Sequence, residues 1–441
     1  MPRSRVAGVA LALALVATGA AATTLRTSNV VTATTTDFFA SAESTALYCT
    51  GLGAGATSGR VVLTNLSGSS RVLAVEVVSN TGGHATRNVV LAAHASTSVS
   101  PQAWVPGTLF GLSAVVSGGG VVGAAVAANA TAVAPCSAGG VSDWYAAGFD
   151  TLVGSSAVIS LFNPSATPAV VDVTTVTANG FSAPAPFQGL TVGPHAVVAV
   201  NLATQIVDTT NVGVHVNVLR GALAIVGVQT SATTASFNPG QGVLSSTATF
   251  PLVTTAAHTR AQVRIANPND VATSVTVAVA LGTYRIAPES VDIPAYASGV
   301  VTITPNSAIP AAGFASLRLT SSEPVAAALA VGTTDYALSA PAPSSRTWLI
   351  ADFSGRGFSR ADLTNLAKEP ASIRVTNVAT SVTYSASLAA GATSDLRALL
   401  AGLSKLQGAT LLVTSDRPVQ VTTILPLSPV GPVVASALNG G

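Results

Sequence analysis

Val158-Ile-Ser-Leu-Phe-Asn-Pro-Ser-Ala-Thr-Pro-Ala-Val-Val-Asp-Val-Thr-Thr-Val-Thr177 is the unit from which this chain is built, and it occurs four times. The copies align on Asn65, Asn163, Asn267 and Asn365, at separations of 98, 104 and 98 residues. Two positions earlier stand Leu63, Leu161, Ile265 and Leu363. Eight and ten positions later stand Leu73 and Val75, Val171 and Val173, Val275 and Val277, Ile373 and Val375. Between the last two lies Ala74, Asp172, Thr276 or Arg374, all compatible with water. That is the period-two pattern of a strand with one buried face. The Asn falls in the polar connection between two such strands. Its side chain can bond the backbone that follows, so it reads as a loop cap rather than a ligand contact.

Each unit continues in register. An apolar opening precedes the Asn (Leu47-Tyr48, Trp144-Tyr145, Phe250-Pro251, Trp348-Leu349). About 30 residues downstream, turns lead into a further apolar strand, at Ala93-His94, Pro194-His195, Ala295-Tyr296 and Ala390-Gly391. A tight turn then introduces the last strand, as at Gly118-Gly-Gly and Ser322-Glu-Pro. About seven short strands in each stretch of about 100 residues predict an all-β chain of four tandem immunoglobulin-like antiparallel β-sandwich domains. The period exceeds that of solenoids and propeller blades.

The termini of these units give the expected organisation. Met1-Pro-Arg-Ser-Arg precedes an uncharged apolar run, Val6 to Ala22, so residues 1–22 read as an export segment, cleaved as a signal peptide or retained as an anchor helix. Residues 23–36 are a Thr-rich tether. The sandwiches are expected at 37–140, 141–240, 241–343 and 344–434. Laid end to end through short linkers, they would form a semi-rigid, elongated array of about 140 Å. The fourth carries a disproportionate share of the charge and one helical pattern, Asp395-Leu-Arg-Ala-Leu-Leu, capped by Thr393 or Ser394.

The composition, 49% hydrophobic but only 8% charged, excludes a disordered chain, and a net charge of +2 gives no electrostatic case for nucleic acid. Cys49 and Cys136 are the only cysteines. In an exported chain, within one domain, they are expected to form a disulfide. His84, His94, His195, His215 and His258 show no metal-ligand spacing, and no nucleophile elbow is present. Asp143, Asp150, Asp172, Glu289, Asp292 and Glu323 are scattered over the repeats. No catalytic, cofactor-binding or metal-binding residue is therefore nominated, and no cofactor is expected.

The export segment, the Trp144-Tyr145 opening, Leu161-Phe-Asn-Pro with Val170-Val-Asp-Val, and Gln188-Gly-Leu-Thr-Val-Gly-Pro resemble an uncharacterised family of large secreted actinobacterial proteins. The resemblance covers the chain after the tether and supplies no known site residues. It implies an extracytoplasmic protein, secreted or held to the cell membrane by its N-terminus, with membrane contact only through residues 6–22 if these stay uncleaved. The expected role is a non-catalytic structural spacer or binding and adhesion scaffold of the cell envelope, its partner an unknown envelope protein or polysaccharide. The alternative is an envelope hydrolase whose site is assembled from the scattered carboxylates.

Overall fold

The alternating valines are the centre of the architecture. Val75, Val173, Val277 and Val375 are all fully buried in a computed structural model of the chain. The structure describes residues 29–32, 45–54, 59–127, 133–231, 235–254, 260–281, 284–285, 287–303, 314–332, 336–339, 345–350, 360–400, 410–424, 433–434 and 436–437. Within these the fold is all-β and every strand pairing is antiparallel. The export segment expected at residues 1–22 lies outside the described residues. No described helix is long and apolar enough to cross a membrane. The helical pattern near Asp395 appears as one turn, Leu396–Leu399, directly after the strand Thr393–Asp395.

The second repeat shows the plan. One sheet runs in the order Asp143–Phe149, Val212–Arg220, Ala169–Thr177, Gly180–Ser182, with Leu190–Val192 also on the third of these. The facing sheet runs Ala196–Asn201, Ser156–Asn163, Ala224–Thr230, Ala235–Asn238. Trp144, Ile159, Leu161, Val171, Val173, Val200, Val214 and Val216 fill the space between them. The other repeats follow the same order around cores of their own. This order departs from the immunoglobulin constant arrangement, in which the strands corresponding to Val212–Arg220 and Ala224–Thr230 are neighbours in one sheet. Here the chain leaves the first sheet after its long central strand and enters the opposite sheet. A short final strand then follows, such as Val133–Pro135, the eighth of the first repeat, or Ala235–Asn238.

The crossing takes two forms. In the first two repeats it is a turn, at Gly118 and Gly221, both at positive φ. In the last two it is no turn, contrary to the sequence expectation. Phe314–Gly332 and Leu411–Ile424 run unbroken through both sheets, which thereby join into sheets of eight and nine strands. The pairing register shifts where Pro324 and Pro418 interrupt the ladder. Proline has no N–H to donate there, so a bulged crossing accommodates it.

The repeats do not extend in a line. The first sheet of each packs on the second sheet of the next, and the fourth returns to the first. Phe162, Val226 and Val228 of the second repeat join the core cluster of the first. Ala147 and Val176 meet Ala266 and Ala326 between the second and third. Strand Ser245–Thr254 of the third touches Arg360–Asn365 and Leu411–Ile424 of the fourth. Leu349, Val378 and Leu412 of the fourth pack against Leu66 of the first, where Ser96 and Thr410 hydroxyls lie 3.0 Å apart. The elongated array is thus replaced by a closed cycle. The physical reason is the low charge: few charged groups stand on the outer sheet faces, those at the seams are mostly paired, and burying the apolar remainder against a neighbour is favourable.

The tether also departs from expectation. Asn29–Thr32 forms a strand on the outer edge of the fourth repeat, pairing with Val382–Leu388. Val30, Val31 and Thr32 are β-branched and suit that conformation.

Candidate functional site

The four aligned asparagines are fully buried. Each Nδ2 donates to the carbonyl four residues on, at 2.8 Å in every repeat. It also donates across to a second loop, at Ala92, Gly193, Pro294 and Ala389, at 2.9–3.1 Å. Each Oδ1 accepts the backbone N–H two residues on, at 2.9–3.1 Å. The Asn therefore closes its own turn and pins a second one. Two residues past each pinned carbonyl the chain turns left-handed, at His94, His195, Tyr296 and Gly391, with φ of 55°, 47°, 54° and 65°. His94, His195 and Tyr296 donate their N–H back to Ser67, Ser165 and Asn269 of the Asn turn.

Cys49 and Cys136 are bonded, with Cα atoms 4.5 Å apart. The bond ties the opening strand of the first repeat to the residue after its eighth strand, where Tyr48 and Ser137 also exchange backbone hydrogen bonds of 2.8 Å.

Chemistry that differs between repeats gathers on the outward row of the first sheet, which faces the next repeat. In the second repeat the row is Tyr145, His215 and Thr174, on three neighbouring strands. The Tyr145 and His215 rings stack with centroids 4.2 Å apart and planes 7° from parallel. Asp143 Oδ1 lies 3.1 Å from His215 Nε2. Burial, and secondarily the Asp143 charge, raise the Tyr145 phenol above its ordinary range, so it remains a hydrogen-bond donor at neutral pH. Ala266, Pro268 and Ala326 of the third repeat close over this row and leave a cleft of about 50 Å³. Phe181 stands at its edge against Tyr296, ring centroids 5.7 Å apart.

In the first repeat the corresponding row is Tyr48, Ser113 and Glu76. Ser113 Oγ donates to Glu76 Oε2 at 3.0 Å. Glu76 Oε1 meets His84 Nε2 at 2.8 Å and, across the seam, His195 Nδ1 at 3.0 Å. The rows of the third and fourth repeats are Thr249, Arg318 and Ala278, and Leu349, Leu412 and Thr376. His195 and Tyr296 thus do more than fill a turn, because each also reaches the preceding repeat.

The seam between the second and third repeats holds a buried ion pair. Arg264 Nη1 lies 2.8 Å from Asp150 Oδ2 and donates to Gly148 O at 2.7 Å. Asp150 Oδ1 accepts from Asn211 N at 3.1 Å. The other carboxylates noted in the sequence do not join it. Asp143 serves His215, and Asp172 accepts from Gly189 N. In the charge-rich fourth repeat, Glu369 pairs with Arg417, and Asp416 accepts from Ser372 N. Among the described residues no group of three His, Cys, Asp or Glu side chains is placed to hold a metal ion.

Residues 128–399 match a family of unknown function (DUF5719). The chain belongs to that family. The DUF5719 region takes in the whole second and third repeats, with both the Tyr145 row and the Asp150–Arg264 pair. No curated protein matches the chain. Among solved structures, one match is the crystal structure of a tetra-tandem repeat in the extending region of a large adhesion protein. It is 12% identical and covers 87% of this chain and 95% of that one, at a TM-score of 0.12. Superposition that poor carries no argument about this chain.

Proposed function

We propose that this DUF5719 protein is a non-catalytic, extracytoplasmic component of the cell envelope, and that it acts as a rigid binding or adhesion scaffold. The reading takes the four repeats as four immunoglobulin-related sandwich domains of modified strand order. An export segment at residues 1–22 delivers the chain, and an actinobacterial envelope protein or polysaccharide is its partner. One observation carries the proposal: the repeats are locked to one another by apolar seams and a buried ion pair, and the cleft over the Tyr145 row has about 50 Å³ of room. Substrate sites are commonly several hundred Å³. A hydrolase would also need two carboxylates converging on one cleft, and the seam carboxylates instead serve a His and an Arg.

The test is capture of envelope fractions on the immobilised chain, with hydrolysis of the same fractions followed in parallel. The reading expects saturable retention of a protein or polysaccharide with no turnover. Turnover lost in an Asp143→Asn or Glu76→Gln variant would establish the hydrolase instead.

A further inference from the structure

Three seams of the cycle join repeats that are consecutive in the chain. The seam between the fourth and first repeats joins the two that are farthest apart in sequence, and its apolar contacts among the described residues include Leu349, Val378 and Leu412 against Leu66, with Val122 alongside, and Val133 against the fourth core. The strand Asn29–Thr32 bears on this seam. It pairs with the outer strand of the fourth repeat in the register Asn29 to Ser385, Val30 to Tyr384, Val31 to Thr383 and Thr32 to Val382. After twelve intervening residues, at Thr45, the chain enters the first strand of the first repeat. A segment of that length can reach about 40 Å. The same segment is therefore bound to the fourth repeat by a β-ladder and to the first by the peptide chain.

We propose that Asn29–Thr32 is the clasp of the cycle: Val382–Leu388 is a strand-accepting site, the chain's own N-terminal segment is its occupant, and their pairing holds the fourth repeat against the first. The site is specific to that repeat. Among the described residues, the corresponding outer strand of the first repeat, His84–Leu91, pairs only with its inner neighbour. An open edge of this kind is a template for strand addition. Filling it from within also removes a route to edge-to-edge association between copies. The clasp lies downstream of residues 6–22, so it persists whether that stretch is removed or kept.

Two measurements on the full chain test this. In a Val31→Cys/Thr383→Cys variant the new thiols sit at directly paired positions, where Cβ atoms stand about 4.5–5.5 Å apart. Peptide mapping without reduction should find a 31–383 disulfide within one chain beside Cys49–Cys136. In a Val30→Pro/Val31→Pro variant at least one ladder hydrogen bond is lost, because alternate residues of a strand face its neighbour and proline has no N–H. Amide exchange at Leu66, Val378 and Leu412 should then quicken about tenfold, with exchange in the second and third cores unchanged. Free thiols at 31 and 383 with the native disulfide intact would overturn the proposal. So would cross-links found only between chains, or seam exchange that the proline variant leaves unaltered.

Discussion

At the scale of single residues, the account rests on side chains that close loops rather than on side chains that react. Asn267 makes four hydrogen bonds from a fully buried site: two from Nδ2, to Val271 and Pro294, and two to Oδ1, from the backbone N–H and the side-chain Nδ2 of Asn269. Asn267→Ala leaves two carbonyls and an N–H without their partner. It should destabilise the chain by about 3 kcal/mol, read as a lowered midpoint in urea. A midpoint within error of the parent would contradict the structural role given to this residue. The buried pair gives a second residue-scale expectation. Arg264→Met strands Asp150 in the seam at a cost of about 3–5 kcal/mol, whereas Arg264→Met/Asp150→Leu should lose clearly less. Equal losses in the two variants would show that the charges do not see each other. The asparagines were legible in the sequence because they recur at one place in every repeat. Arg264 and Asp150 were not, because they are 114 positions apart in different repeats and neither has an equivalent in all four copies.

At the scale of strands, the sequence displayed the inward faces and hid the outward ones. Alternation placed Val173 and Val277 correctly, since period two follows from strand geometry alone. It could not show which outward face meets another repeat. The signal that was available is a small residue at one register position. Gly111, Gly213, Ser316 and Thr410 are paired with or bonded to Val78, Val176, Ala280 and Val378, the equivalent positions of the neighbouring strand. A Cβ on Gly213 would stand 2.3 Å from the Ala266 side chain of the next repeat, and one on Gly111 would stand 2.5 Å from the Phe162 ring. Gly213→Val should therefore cost about 1–3 kcal/mol by overpacking and should loosen the seam between the second and third repeats first. Hydrogen exchange would report this as faster exchange at Ala147 and Ala266 than in the third core. Uniform or unchanged exchange would contradict the close approach. The tether strand was missed for a related reason: two valines and a threonine have strand propensity, but only the open edge at Val382–Leu388 gives them a partner.

At the scale of the whole molecule, the expectation of a rod failed because the charge-poor sheet faces dock the first and fourth repeats as well as consecutive ones. Each repeat sets its first-sheet face against the second-sheet face of the next, and four such heterologous contacts close on themselves when the rotation between neighbours permits. The first and fourth repeats meet through Leu66 and Leu412 and through the Ser96–Thr410 hydroxyl pair, a contact no linear arrangement can make. Closure is thus the central claim, and small-angle scattering of the purified chain in dilute solution tests it most directly. A closed body of this length should give a radius of gyration of about 22 Å. A value of roughly 40 Å, that of a rod of four sandwiches about 140 Å long, would contradict it.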